Sequence, residues 1–195
     1  MRVLVVCGYS MRGWSATYDA VRRHFVERGD EAEYFTYTSN ESAESVYARL
    51  SGVLSGSFDA LVAHSMGAAL VARYVTRHAD AVASYGRVVL CMPLLATQPL
   101  LSSLAPHAAL CSMQQLAHVY RHWLDRTDVI DAVALLERPT VHVLYALRET
   151  LTPMPWRVLS RAANLHVVHG GHYAAYDESA AYAAQFFAAL DAALG

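Results

Sequence analysis

The chain has 195 residues, 55% of them hydrophobic, which is enough to bury a sizeable core as one domain carrying an insertion. Its formal net charge is −2, with both signs scattered along the sequence, so no basic stripe is offered to a phosphate backbone and nucleic acid is excluded as an expected partner. Cys7, Cys91 and Cys111 are odd in number and lack metal-ligand spacing, and Cys7 and Cys91 lie in apolar strand-like runs. They read as reduced core thiols of a cytoplasmic protein.

The elements follow in chain order. "RVLVVCG" is a continuous apolar run closed by glycine, the pattern of a strand buried on both faces. "TYDAVRRHFVERG" follows as a helix with Tyr18, Val21 and Phe25 on one face and Gly29 as its stop. "EAEYFTYT" is the next strand. "ESAESVYARLSGVL" is the next helix, with Thr38 and Glu41 at the spacing of a capping box. In "FDALVAHSMGAALVARYV" a strand breaks at His64-Ser65-Met66-Gly67 and restarts at once as an amphipathic helix. "RVVLCMP", "TVHVLYA" and "LHVVHG" supply three more strands, and "SAAYAAQFFAAL" closes the chain as a helix with Ala183, Phe186, Phe187 and Leu190 inward. Apolar strands alternating with helices predict an α/β fold, a mostly parallel sheet flanked by helices on both sides.

The rhythm changes at about 94–138. A Pro- and Leu-rich stretch leads into two helices, "CSMQQLAHVYRHWLDR" and "DVIDAVALLER", the second ended by Pro139. This reads as a short helical lid inserted after the fourth strand, leaving a core of 1–93 and 139–195. "VLVVC" is too short for a signal-peptide core, and "VVLCMPLLATQPLLSSL" is interrupted by Pro93, Gln98 and Pro99, so no membrane span is expected.

Ligands of open parallel sheets bind beyond the carboxyl ends of the strands. Three such places carry chemistry: Gly8-Tyr9 after the first strand, Ser65 after the third, and Glu149 with His172 after the last two. A serine on a tight strand-to-helix turn has its side chain lifted clear of the sheet beside open helix N–H groups. Each residue also has a purely structural reading: a turn serine, a surface glutamate beside Arg148, a packed histidine.

At these positions the sequence resembles the α/β-hydrolase superfamily of serine hydrolases, in the manner of a small esterase. "AHSMG" is similar to the G-x-S-x-G elbow, "CGYSMRGW" to the family's opening loop, "RPTVHVLYALRETLTP" to its strand-plus-acid segment and "GGHY" to its histidine loop, in the family's order of Ser, acid, His. The resemblance covers nearly the whole chain, trimmed so that it starts at the family's usual third strand. It implies Ser65 as nucleophile, His172 as base and Glu149 as the acid that orients His172, with the backbone N–H groups of Tyr9 and Met66 as oxyanion donors. From Ala81 to Leu124 there is no Asp or Glu, so no acid follows the strand "RVVLCMP", the other plausible position; Asp177 and Glu178 lie near His172 but open a helix.

The pattern departs from the family at Ala63 for the first elbow glycine, Cys7 for a histidine, Ala146 for a turn glycine and Glu149 for the more usual aspartate. Gly8, Trp14, His64, Met92, Leu94 and Leu95 are the residues expected to border substrate, with His64 alternatively supporting the elbow. His118 and His122, and His166, His169 and His172, have regular spacings but no accompanying Cys or acidic ligands, so no metal and no cofactor is assigned. The implied function is hydrolysis of a small-molecule carboxylic ester or thioester through an acyl-enzyme. The acid-free, leucine-rich entry to the lid points to an apolar acyl group. An acyltransferase using the same residues, or a binding module on the same fold with weak turnover, remain as alternatives. The sequence does not specify an oligomeric state.

Overall fold

In a computed structural model of the chain, the residues described are 1–8, 16–38, 41–78, 84–95, 134–149, 152, 154–173 and 180–195. Six strands, β1 (Arg2–Val6), β2 (Glu31–Phe35), β3 (Ala60–His64), β4 (Arg87–Cys91), β5 (Val141–Ala146) and β6 (Asn164–Val168), form one sheet in the order β2-β1-β3-β4-β5-β6. Every pairing is parallel, with His64 opposite Cys91 and Ala146 opposite Val168. All six carboxyl ends therefore line one edge of the sheet, and the site must be sought there.

The helices are α1 (Ala16–Glu27), α2 (Ala43–Leu54), α3 (Met66–Arg77), the single turn α4 (Trp156–Leu159) and α5 (Ala180–Leu194). Two core clusters lie on opposite sides of the sheet. Val3, Val5 and Cys7 of the β1 segment, with Val62, Val89 and Leu144, pack under α1 and α5 through Tyr18, Phe25, Phe186 and Leu190. Leu4 and Val6, with Leu61, Ala63, Leu90 and Val143, pack under α2 and α3 through Val46, Leu50, Met66 and Leu70. A strand apolar at every position can satisfy both layers at once, which is why the central strands lack the alternation of a half-exposed sheet. The edge strand β2 shows that alternation, with Glu31 and Glu33 facing solvent. α5 turns Phe186 and Leu190 fully inward and leaves Ala183 and Phe187 half-buried.

The start of α2 differs from the sequence expectation. Its N-cap is Ser42, whose hydroxyl accepts the Ser45 N–H at 3.2 Å. Thr38 and Glu41 form a separate turn ahead of it, in which the Thr38 N–H donates to Glu41 Oε1 at 2.7 Å and the Glu41 N–H donates to the Thr38 carbonyl at 3.3 Å. Two capping signals lie four residues apart here, and the helix begins at the second because Ser42 takes the extended backbone that an N-cap requires.

The lid expected over 94–138 falls mostly outside the described residues. Within it, 134–136 are helical, and Leu135 and Leu136 are buried in the α2–α3 layer. Among the described residues no helix is long and apolar enough to cross a membrane, and Cys7 and Cys91 are free, buried thiols.

Candidate active site

Ser65 sits between β3 and α3 with φ 56° and ψ −121°, a conformation that L-residues rarely adopt and that costs about 1–3 kcal/mol. The surroundings hold it there. Its N–H donates to the Cys91 carbonyl at 3.0 Å, and its own carbonyl accepts the N–H groups of Ala68 at 3.1 Å and Leu94 at 3.2 Å. Serine usually caps a helix with its hydroxyl, but here the Oγ makes no capping bond. The turn presents the hydroxyl instead of spending it on the helix.

The glycine two residues on explains how the turn stays tight. A Cβ at Gly67 would stand 2.4 Å from the Val6 carbonyl oxygen and 2.5 Å from that of Cys7. The first turn of α3 is pressed against the end of β1, and only a residue without a side chain fits. Ala63, fully buried at the end of β3, fills the place of the first elbow glycine without expanding the turn. Met66 opens α3, so its N–H is among those left without an intrahelical acceptor.

Glu149 and His172 come together from two loops that run side by side. Beyond β5 and β6 the Leu147 N–H donates to the Val168 carbonyl and the Arg148 N–H to the Gly170 carbonyl, each at 2.9 Å, and Gly170 makes the turn with φ 100°. This registers residue 149 against residue 172. His172 Nδ1 lies 2.7 Å from Glu149 Oε2, with the glutamate side chain wholly buried and the imidazole nearly so. Because a carboxylate only accepts, Nδ1 carries the proton, and in the neutral ring Nε2 is left with the lone pair. The second carboxylate oxygen is also occupied: the Thr152 N–H donates to Glu149 Oε1 at 2.8 Å. Thr152 Oγ1 in turn donates to the Met92 carbonyl at 3.0 Å, tying the acid to the end of β4.

His64 joins the two halves. Its ring lies 4.8 Å from that of His172, and its Nε2 is 3.1 Å from the His172 carbonyl oxygen, so the residue beside Ser65 is in contact with the histidine loop. On its other side Nδ1 is 3.2 Å from the Tyr18 hydroxyl, which accepts the Gly8 N–H at 2.7 Å. Complete burial and the nearby His172 push the His64 pKa down to about 3, so the ring is neutral at ordinary pH. Burial likewise pushes the Cys7 and Cys91 thiols up to about 12, which keeps both protonated and unreactive.

Of the residues expected from sequence, the structure brings Gly8, His64, Ser65, Met66, Glu149 and His172 to the carboxyl edge of the sheet. Met92, Leu94 and Leu95 are there too, but as buried members of the core layers; Met92 has φ 42°, and Leu94 holds Ser65 through its amide. Tyr9 and Trp14 lie outside the described residues, as do Asp177 and Glu178. Among the described residues no group of three or more His, Cys, Asp or Glu is arranged to hold a metal ion. Two contributors went unread in the sequence. Thr152 is three residues past the acid, the spacing of a closed turn. By its spacing Tyr18 belongs only to the apolar face of α1, although a buried phenol needs a hydrogen-bond partner.

Neither a protein-family model nor a curated protein sequence matches the chain. Solved structures do. One described as LipS and LipT, two metagenome-derived lipolytic enzymes, matches with TM-score 0.64 at 12% identity over 99% of this chain and 92% of that one. Alpha/beta hydrolase domain-containing protein 10 from mouse matches with TM-score 0.60 at 15% identity over 98% of this chain and 88% of its own. The thioesterase domain from the curacin biosynthetic pathway matches with TM-score 0.60 at 15% identity over 97% and 90%. Together with the all-parallel sheet and its flanking helices, these define the fold as that of the α/β-hydrolases.

Proposed function

We propose that the chain is a serine hydrolase that cleaves a small carboxylic ester or thioester, with Ser65 as nucleophile, His172 as base and Glu149 as the acid that orients it. The observation that carries this reading is the buried 2.7 Å bond between His172 and Glu149, on the same carboxyl edge of the sheet as a serine whose backbone is held at positive φ. A free hydroxyl is a poor nucleophile and needs a base within reach. His172, with its proton on Nδ1, has Nε2 available to take the Ser65 proton as Oγ attacks the acyl carbon. The resulting imidazolium is stabilised by the Glu149 carboxylate. Negative charge on the carbonyl oxygen would be met by the N–H groups of Met66 and Tyr9, each donor of this kind contributing about 3 kcal/mol to the barrier. His172 then returns the proton to the leaving alcohol or thiol, and water attacks the acyl-enzyme by the same route.

The esterase, lipase and thioesterase names among the structural neighbours support ester or thioester chemistry, and the leucine-rich 94–110 segment supports an apolar acyl group. The free, buried thiols support a reducing, cytoplasmic setting. A fluorophosphonate probe with the wild-type protein and Ser65→Ala tests the nucleophile, and a chain-length panel of chromogenic esters and acyl thioesters tests the substrate class. Stoichiometric labelling lost in Ser65→Ala, with turnover rising with acyl length, is the expected result. Folded wild-type protein that neither labels nor turns over any member of the panel would leave a binding module on this fold.

A further inference from the structure

We infer that Tyr18 and His64 form a positioning unit for this site, a directed line of hydrogen bonds that locks the end of β1 to the loop carrying His172. The inference rests on the proposed triad but concerns residues outside it.

The direction of the line follows from what each atom can do. The His172 carbonyl only accepts, so His64 Nε2, 3.1 Å away, must carry the proton. A neutral imidazole then has an acceptor at Nδ1, and the Tyr18 hydroxyl 3.2 Å from it is the donor. The same hydroxyl accepts the Gly8 N–H at 2.7 Å, and the Cys7 thiol is a further hydrogen-bond neighbour of it. Within these three bonds each donor and each acceptor is used once, and the order Gly8 to Tyr18 to His64 to His172 has one sense. With the His64 pKa held near 3 by burial, protonation does not reverse it at working pH.

The packing is as specific as the polarity. A Cβ at Gly8 would lie 3.2 Å from His64 Nδ1 and 3.4 Å from Ser65 Cβ, so the backbone of residue 8 rests directly on the elbow. The His64 ring fills the space between that backbone and the His172 ring, and it also touches the ring of Tyr173. The line thus fixes the backbone of Gly8 relative to the backbone of the proposed base. Neither Tyr18 nor His64 is required to touch substrate. Their effect is through the placement of Gly8 and His172, and a misplacement of about 1 Å at such a site costs on the order of a hundredfold in rate.

The test uses Tyr18→Phe, His64→Leu, His64→Gln and the double variant Tyr18→Phe/His64→Leu, with kcat and KM measured on the best ester of the panel. Tyr18→Phe and His64→Leu are expected to lower kcat by about 10- to 100-fold with KM nearly unchanged. His64→Gln, whose amide can still donate to the His172 carbonyl, should recover several-fold over His64→Leu. The double variant should be no worse than His64→Leu alone. A wild-type kcat in Tyr18→Phe, losses that multiply in the double variant, or losses confined to KM would overturn the inference. A second readout is independent of turnover: the far-downfield proton resonance of His172 Nδ1–H, assigned by its loss in Glu149→Gln. It should broaden or shift in folded Tyr18→Phe and His64→Leu, and an unchanged resonance in both would refute the positioning role. Wild-type protein without esterase activity but with this resonance would refute the proposed function while leaving the line of bonds open to the same measurement.

Discussion

Replacing Glu149 by glutamine puts a single sharp question to the site, because both carboxylate oxygens now accept. Oε2 faces His172 Nδ1 at 2.7 Å and Oε1 faces the Thr152 N–H at 2.8 Å. Glutamine has one oxygen and one NH2 group, so one of these contacts must become donor against donor. The Thr152 N–H cannot change its role, and leaving it unsatisfied in a buried place costs about 1–3 kcal/mol. His172 can change, by moving its proton to Nε2. The amide therefore turns its oxygen to Thr152 and its NH2 to His172, which takes the tautomer that could not accept the Ser65 proton in the proposed mechanism. At about 1.4 kcal/mol per decade, that preference leaves roughly one molecule in 5 to one in 150 in the productive arrangement. Even that fraction lacks the carboxylate that steadies the imidazolium. The combined loss should fall between about 10² and 10⁴ in kcat, the upper figure being that of an amide in place of the aspartate in a Ser-His-Asp site. The assay is steady-state turnover of a chromogenic ester, with thermal unfolding to establish that the variant is folded. A folded Glu149→Gln protein with kcat within tenfold of wild type would refute the argument and move the acid elsewhere.

Two further outcomes follow from the packing and the buried histidine. Gly67→Ala forces a methyl group to within 2.4 Å and 2.5 Å of two backbone oxygens that cannot swing away, so the upper end of the usual overpacking cost, about 3 kcal/mol, is expected. In a chain of this size that lowers Tm by roughly 6–12 °C, readable by calorimetry, and a Tm within a degree of wild type would contradict the close approach of β1 and α3. His64 has a folded pKa depressed from 6.5 to about 3, so between those values the unfolded chain binds a proton that the folded chain refuses. Stability from this group is complete above pH 6.5 and is lost as pH falls toward 3, at no more than ~1.4 kcal/mol per pH unit. Urea unfolding at pH 7, 5.5 and 4.5 should show this slope in wild type and a shallower one in His64→Gln. The remaining slope belongs in part to His142 and His166, whose pKa values burial also lowers.

Much of the architecture was legible because it rests on local patterns. Continuous apolar runs such as "RVLVV" and "RVVLC" can be read as doubly covered strands without knowing what covers them, and the helical face of Tyr18, Val21 and Phe25 is a spacing. The elbow was legible for the same reason: a strand, a serine and a helix within a few residues leave few backbone solutions. Less was legible at the cap of α2, where Thr38 and Ser42 both carry the right side chain and the choice depended on where the chain leaves β2. Tyr18 as a hydrogen-bonding residue was hidden by its apolar neighbours.

What the sequence by itself determined is the set of chemical groups and the edge on which they fall: a serine, an acid and a histidine, each following a strand of a parallel sheet. Tertiary structure alone decided the directions of the bonds among them. The 2.7 Å contact of Glu149 with His172 depends on two loops pairing beyond β5 and β6, and the link from Gly8 through Tyr18 and His64 joins residues up to 164 positions apart only because β1, α1 and β3 meet at one edge. Residue identity and local spacing fix which groups can donate or accept. Which donor meets which acceptor is set by strand order and register, and these are properties of the packed sheet, not of any segment.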